Sequence, residues 1–330
     1  MNDCGRLVAG IGLGAALGVL GTLAWQSRKS VLRRAVLEHI ARHRSIRSFE
    51  RRPVAPELLD ELLHTAMRSS NNGNMQTYSV IVTRDAAALE RLALIHDNAK
   101  IATCGALVTF ASDWSRHSRW CALSGGDPAA YDNLNAFLTG ALDAMVTAQS
   151  FALAAEAAGL GICFLGSTIW EPDRLNAAFE LPRGVHVVTS VMVGWPAEGP
   201  ALRARLPHAA HVHEERYAPL SDAAVAAHYT AREAEGWARY KQLYGPAWSA
   251  KLESHGLRNL GQVYTTLKYS GQDFRLFSRR LLASIARQGF GRNAPTTADS
   301  APCAVCGKWS HCLDPERLQD SGDVAQAYRE

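Results

Sequence analysis

The sequence has no dense run of basic residues. Its 35 lysines and arginines are spread among 31 acidic residues, and the formal net charge is only +4. Nucleic-acid-binding proteins usually concentrate positive charge on one face or in one segment. The even spread therefore argues against a nucleic-acid partner.

A regular cysteine framework is also missing. The chain has seven cysteines, an odd number, and three of them lie close together near the end. Disulfide-stabilised domains pair their cysteines at regular spacings, so we expect a reducing compartment for the main domain.

The cysteines near the end could instead bind a metal, together with one histidine. The four candidate ligands are Cys303, Cys306, His311 and Cys312. Cys-x-x-Cys is the usual half of a zinc site, but side chains of adjacent residues rarely reach one metal. We favour an incidental or redox-active cysteine pair in a flexible tail (residues 291–330) and assign no metal ligand.

One long hydrophobic run lies near the start. Leu7 to Trp25 is 19 residues without a charge, which spans about 28 Å as a helix at about 1.5 Å per residue. Four basic residues follow closely, and the positive-inside rule places the rest of the chain in the cytoplasm. These residues are Arg28, Lys29, Arg33 and Arg34. We predict that residues 1–30 are a single-pass anchor on the cytoplasmic face of the inner membrane; a cleavable export signal and a misplaced translation start are the alternatives.

Helices and strands alternate in the remainder. Hydrophobic periodicity predicts helices near 31–42, 56–69, 85–94, 133–158, 222–242 and 273–287, and strands near 78–82, 106–110, 162–165 and 186–194. This order indicates an α+β or mixed α/β sandwich with helices on both faces of the sheet. The helix at 133–158 is apolar on all sides, which predicts a place in the core or at a subunit interface.

A basic cluster follows the first of these helices. In residues 43–49, HRSIRSF, the first five residues place two guanidinium groups, a hydroxyl and an imidazole close together. Arginine binds a phosphate dianion through two parallel hydrogen bonds. Taken alone, a solvated basic helix end explains the cluster better.

Five further motifs follow the basic cluster in order. They are SSNNGNMQ at 69–76, SDWSRH at 112–117, GLGICFLG at 159–166, VGWP at 193–196 and LRARLP at 202–207. The ordered set resembles the FMN-dependent nitroreductase superfamily, and is most similar to its oxygen-insensitive nitroreductase and flavin reductase P-like branch. The resemblance implies a nitroreductase-like FMN domain over residues 31–290.

The resemblance also implies a fold and an assembly. Members of this superfamily are homodimers with a three-layer α/β/α sandwich around a central, mostly antiparallel sheet. Their flavin sites lie at the dimer interface. The apolar helix at 133–158 agrees with such an interface.

The resemblance assigns cofactor-binding roles to fourteen residues. Arg44 and Ser45 would bind the phosphate of FMN, and Arg47 would face the flavin ring, where a cation stabilises the negative charge of the reduced ring. The complete set is His43, Arg44, Ser45, Arg47, Ser70, Asn71, Gln76, Asn98, Phe164, Leu165, Gly166, Ser167, Arg203 and Arg205. Five features depart from the family pattern: Arg203 stands where a lysine is common, Ala204 replaces a proline, the polar loop NNGN contains a glycine, Asn98 replaces a longer glutamine, and residues 236–262 follow no recognisable pattern.

The implied reaction is a two-electron, ping-pong transfer from NAD(P)H through FMN to a small-molecule acceptor such as a nitroaromatic compound, a quinone or a flavin. Because the flavin performs this chemistry, no side chain is assigned as a catalytic acid, base or nucleophile. Two alternatives remain: a reductive dehalogenase resembling iodotyrosine deiodinase, and a membrane-tethered flavin- or metal-binding sensor without turnover.

Overall fold

The computed structural model describes residues 29–291. The predicted anchor sequence from Leu7 to Trp25 lies outside the described residues, as do the candidate metal ligands Cys303, Cys306, His311 and Cys312. The predicted FMN domain of residues 31–290 falls wholly within them.

The described residues form helices packed around one sheet. The helices are α1 (29–41), α2 (Pro56–Ala66), α3 (Ala86–Ile95), α4 (Ser115–Leu123), α5 (Leu134–Ala157), α6 (Pro172–Ala178), α7 (Asp222–Ser254), α8 (Leu260–Val263) and α9 (Gly271–Ile285). The strands are β1 (Tyr78–Thr83), β2 (Ala106–Asp113), β3 (Gly161–Leu165) and β4 (Val185–Gly194). All strand pairs are antiparallel, in the order β1-β2-β4-β3. The predicted antiparallel sheet is therefore confirmed.

Hydrophobic clusters lie on both faces of the sheet, because alternate residues of a strand point to opposite sides. Val108 and Phe110 of β2 pack with α2 and α5 on one face. Leu107, which precedes Val108 in β2, packs with α3 and α6 on the other face. Helices on both faces were predicted from the sequence, and the structure confirms them.

The long helix α5 is buried on one side only. Ala144, Ala148 and Phe151 are fully buried against the sheet, whereas Leu138 and Leu142 on the opposite side are 50% and 68% exposed. Within residues 29–291, α5 is the one helix long and apolar enough to cross a membrane, and half of that span is buried in the protein. The buried face identifies α5 as the central helix of the core.

Several predicted boundaries were wrong, and three helices were missed. Helix α2 ends at Ala66, and α7 continues to Ser254 past a break at Gly245, where φ is 61° and a proline follows. Helices α4, α6 and α8 were not predicted. Helix α4 buries none of its residues, so it lacks an apolar stripe, and α6 has only seven residues.

Candidate functional site

The basic segment 43–49 lies beside the edge strand β3 and makes a single β-bridge, between Phe49 and Pro196. The Ile46 amide donates to the Ile162 carbonyl at 2.8 Å, and the Ala197 amide donates to the Ser48 carbonyl at 3.0 Å. A Cβ atom at Gly161 would lie 2.7 Å from the Ile46 side chain. Glycine at 161 therefore allows the close approach that holds the segment in place.

Glu198 joins this segment to the chain that follows β4. Its Oε1 atom accepts hydrogen bonds from the Arg47 amide at 2.5 Å and from the Ser48 amide at 3.1 Å. Arg44 Nη1 donates to the Pro200 carbonyl at 3.3 Å. The two stretches 43–48 and 198–205 therefore act as one structural unit.

A cleft of about 870 Å³ opens between these stretches and α7, and we call it the basic cleft. Its walls bring together six of the residues predicted from the sequence: His43, Arg44, Ser45, Arg47, Arg203 and Arg205. Lys100 and Arg239 add two cations, whereas only Glu198 and Glu235 are acidic. This donor set fits a phosphate dianion, since guanidinium groups and a hydroxyl outnumber the carboxylates.

A second cavity of about 600 Å³ adjoins the basic cleft and shares Arg47, Lys100, Arg203 and Arg205 with it. Its other wall comes from α7, from α8 and from the residues that follow α8. It adds Arg232, Tyr240, Leu260, Tyr264, Lys268 and Tyr269. Residues 236–262, which follow no recognisable family pattern, therefore contribute directly to this wall.

Helix α7 also holds the stretch 198–205 in position. Glu235 Oε2 accepts a hydrogen bond of 2.8 Å from the Ala204 amide, between Arg203 and Arg205. Arg232 Nη2 donates to the Tyr264 hydroxyl at 3.1 Å. The backbone bond at Ala204 supplies part of the restraint that a proline at this position would provide.

Residues 164–167 form the turn that ends β3, which we call the β3 turn. Gly166 is exposed, and a Cβ atom there would meet no atom within 4 Å. Ser167 Oγ lies 2.8 Å from His96 Nδ1. Phe164 is half-buried and Leu165 is buried, so the exposed backbone of the turn is at Gly166. The open space leaves room for a flat ligand to approach that backbone.

The polar loop, residues 70–76, is held by neighbours outside the basic cleft. Asn71 Oδ1 accepts a hydrogen bond from the Gln76 amide at 3.3 Å, and Gln76 has a φ of 53°. Arg116 Nη2 donates to the Gln76 carbonyl at 2.8 Å. Ser70, Asn71 and Gln76 do not line the basic cleft, and neither does the β3 turn. A single chain therefore brings together part of the predicted site.

Asn98 has a local role that the sequence did not predict. Its Oδ1 atom accepts from the Lys100 amide at 3.2 Å and caps the short 3-10 helix Ala99–Thr103. Asn98 lines neither cavity, whereas Lys100 lines both. Within one chain, the cation two residues further on occupies the cleft in place of the predicted amide.

His43 is held by an acidic partner. Its Nδ1 atom lies 2.8 Å from Glu156 Oε1, and the Glu156 side chain is only 13% exposed. This contact joins the basic segment to the end of α5. It gives His43 a positional role, as expected for a residue without an assigned catalytic function.

Two of the three described cysteines are poor nucleophiles. Burial raises the pKa of Cys104 to about 12, and burial also raises the pKa of Cys163, which lies beneath Ser45 and Arg47. Both thiols therefore stay protonated at neutral pH. Within residues 29–291, no group of three or more histidine, cysteine or acidic side chains could hold a metal ion.

Comparison with known proteins is consistent with this architecture. The model of the nitroreductase family matches residues 40–195. The Cr(VI) reductase of Pseudomonas sp. (strain G-1) is 33% identical over 183 residues, which cover 55% of this chain and 75% of that protein. The FMN reductase (NADPH) of Bacillus subtilis (strain 168) is 31% identical over 183 residues, or 55% of this chain and 74% of that protein.

A solved structure extends the likeness beyond residue 195. The crystal structure of an oxidoreductase from Bacteroides fragilis is 36% identical and superposes with a TM-score of 0.68, covering 77% of this chain and 99% of the other. From the family match, the identities and the shared fold, we conclude that this chain belongs to the nitroreductase family.

Proposed function

We propose that this protein is an FMN-dependent NAD(P)H oxidoreductase. The observation that carries the proposal is the basic cleft, where Arg44 and Ser45 of one stretch meet Arg203 and Arg205 of another. These four residues would bind the FMN phosphate through charge-assisted hydrogen bonds. When bound, FMN supplies the two-electron redox chemistry that links NAD(P)H to an acceptor.

The protein's own residues would place and tune the cofactor. Arg47 places a cation in the wall of the basic cleft. Glu198 accepts a hydrogen bond from the Arg47 amide and so fixes the backbone at this position, which would keep the charge in place without reorganisation. The open space at Gly166 would allow the ring to approach backbone donors. No acid or base is assigned from the chain.

The acceptors we propose are nitroaromatic compounds, quinones or flavins, reduced by a two-electron ping-pong mechanism. The named relatives support a broad acceptor range, because one is called a Cr(VI) reductase and the other an FMN reductase. The second cavity beside the basic cleft, with its tyrosines and cations, provides space for a small acceptor.

We also propose that the active form is a homodimer. Leu138, Leu142 and Met145 form an exposed apolar face on α5, and Leu32 and Leu37 expose apolar surface on α1. Large exposed apolar patches usually mark an interface. The polar loop, which does not reach the basic cleft of its own chain, could then contribute to the site of the other copy.

We also propose that the protein is located at the membrane. The uncharged run from Leu7 to Trp25, with basic residues after it, would hold the enzyme on the cytoplasmic face of the inner membrane. Cell fractionation of the full-length chain tests this point. Recovery in the membrane fraction, resistant to salt and released by detergent, is expected; recovery in the soluble fraction would refute the anchor.

The central experiment is purification of the full chain in detergent, followed by analysis of bound FMN. We expect a yellow protein that releases FMN on denaturation and oxidises NAD(P)H when an acceptor is supplied. A colourless protein that does not take up added FMN would contradict the proposed function. FMN binding without NAD(P)H oxidation over a panel of acceptors would favour a sensor.

A further inference from the structure

A buried histidine contacts the β3 turn from the side of α3. His96 is the residue that follows α3; its amide donates to the Leu92 carbonyl at 2.9 Å, and the residue is only 4% exposed. Its Nδ1 atom lies 2.8 Å from Ser167 Oγ. The imidazole therefore joins the helix end to the turn where the proposed function places the flavin ring.

The other ring nitrogen of His96 is buried without a hydrogen-bond partner in the described part of the chain. Burial lowers the pKa of His96 to about 4, so the ring is neutral at physiological pH. A neutral imidazole carries one proton, on either Nδ1 or Nε2. The surroundings of the two nitrogens indicate which.

The two tautomers leave different groups unpaired. A proton on Nε2 would leave a buried N–H donor without an acceptor, and such orphaned donors are rare in folded proteins. A proton on Nδ1 leaves only a lone pair unpaired at Nε2, and the N–H donates to Ser167 Oγ. The tautomer with the proton on Nδ1 is favoured, because the single N–H group of the ring then donates to Ser167 Oγ, the hydrogen-bond partner that the ring has.

This arrangement determines what Ser167 can do. If its oxygen accepts from His96, its hydroxyl proton is not used in that bond. Among residues 29–291, Ser167 Oγ makes no other hydrogen bond. In the β3 turn, the hydrogen bond from His96 therefore holds the Ser167 oxygen in place, while the hydroxyl proton of Ser167 is still available to a ligand.

We propose that His96 is a positioning residue for the cofactor: Nδ1–H donates to Ser167 Oγ and leaves the Ser167 hydroxyl to donate to a heteroatom of bound FMN. The proposal rests on the proposed function, since it requires FMN at the β3 turn. His96 itself would not contact the flavin, and it would act through Ser167 alone.

The tautomer can be measured directly on the FMN-loaded, full-length protein. With ¹⁵N-labelled histidine, we expect His96 to show a protonated, pyrrole-type Nδ1 and an unprotonated, pyridine-type Nε2. Substitution His96→Asn identifies the resonance by its loss. A protonated Nε2 with a bare Nδ1 would overturn the proposal without involving any variant's activity.

Variants test whether the effect passes through Ser167. Loss of one hydrogen bond should weaken FMN binding about three- to tenfold in Ser167→Ala and in His96→Phe, measured by fluorescence titration. His96→Asn keeps an amide donor near the position of Nδ1 and should bind FMN more tightly than His96→Phe. His96→Gln, whose amide lies nearer the position of Nε2, should not show this rescue.

A double variant separates positioning from general destabilisation. In the Ser167→Ala background, His96→Phe should cause no additional loss of FMN affinity, because its target is already absent. The matched control is His186→Phe, which removes another fully buried histidine, bonded to Ser284 Oγ at 3.0 Å, and should leave FMN affinity unchanged.

The outcomes distinguish the role of His96 from the binding of FMN itself. Full additivity of His96→Phe and Ser167→Ala, or wild-type FMN affinity in both single variants, would overturn the role of His96 and leave the FMN assignment intact. Failure of the wild-type protein to bind FMN at all would overturn the proposed function and this inference with it.

Discussion

Thr77 Oγ1 donates a hydrogen bond of 2.8 Å to Asp143 Oδ2, which joins the start of β1 to the middle of α5. The same carboxylate accepts from the Asn72 amide at 3.0 Å and from the Thr77 amide at 3.3 Å. Asp143 is only 4% exposed. A charge in an otherwise apolar helix face is therefore explained by the polar loop that it holds.

We expect Asp143→Ala to destabilise the protein by about 3 kcal/mol or more, because several buried donors lose a charged acceptor. Asp143→Asn should cost less, since its amide oxygen can still accept on one side. Urea denaturation measures the free energy of unfolding. A loss below about 1 kcal/mol in Asp143→Ala would show that the loop finds other partners.

The phosphate assignment predicts weaker FMN binding in Arg44→Ala and in Arg205→Ala. Each should lose on the order of 1.5–3 kcal/mol of binding free energy, because each removes a charge-assisted contact. Arg91→Ala is the matched control, since Arg91 is an exposed arginine on α3 that lines neither cavity of the site. Unchanged FMN affinity in both cleft variants would refute the phosphate placement.

Glu198 offers a test of the backbone that carries Arg47. Glu198→Ala removes the acceptor of two adjacent amides, and we expect FMN affinity to fall about tenfold although Glu198 would not bind FMN itself. Glu198→Gln retains a carbonyl oxygen and should fall by less. Equal losses in the two variants would show that the carboxylate charge, rather than the two backbone bonds, matters.

The buried histidines predict a dependence of stability on pH. Burial lowers the pKa of His186 and of His96 to about 4, whereas the unfolded side chains titrate at the ordinary value of 6.5. Between these values the unfolded chain binds more protons, so the free energy of unfolding falls as the pH falls from 6.5 towards 4. The loss approaches about 3 kcal/mol for each histidine.

Denaturation of the wild-type chain and of His186→Phe at about pH 7 and about pH 4.5 isolates one histidine. Apart from Asp173, which interacts electrostatically with His186, the carboxylates affect both proteins alike. The difference in the free energy of unfolding between wild type and variant should therefore shrink at the lower pH. Parallel pH profiles for the two proteins would contradict a neutral, buried His186.

Dimerisation through α5 predicts that a charge at Leu142 disrupts the assembly. Leu142 is 68% exposed in the single chain, and Leu142→Glu would bury a carboxylate without a partner in the interface. Light scattering after size-exclusion chromatography should show monomers. Leu94→Glu on α3, where the leucine is 77% exposed, is the control and should stay dimeric. A monomeric wild type would exclude the dimer.

The sequence predicted the fold well where patterns are periodic. The four strands and the long helix α5 carry continuous apolar residues, and the structure has them within a few residues of the expected positions. Helix α4 was missed because it packs no buried residue. The predicted end of α7, near residue 242, was wrong because the helix resumes after the break at Gly245.

The candidate site was predicted unevenly. Arg44, Arg47 and Arg205 lie in ordered motifs and do line one cleft. Lys100, His96 and Glu198 were missed, because each is a single residue whose importance comes from contacts with distant parts of the chain. Such contacts leave no pattern in the local sequence.

The walls of the basic cleft come from stretches far apart in the chain: residues 43–47, Lys100, 198–205 and helix α7. Ordering them requires long loops to close, so the cleft is complete only when most of the native structure has formed. FMN would then bind the native state and little that precedes it. The cofactor should therefore slow unfolding and extend the lifetime of the enzyme, while leaving its folding rate nearly unchanged.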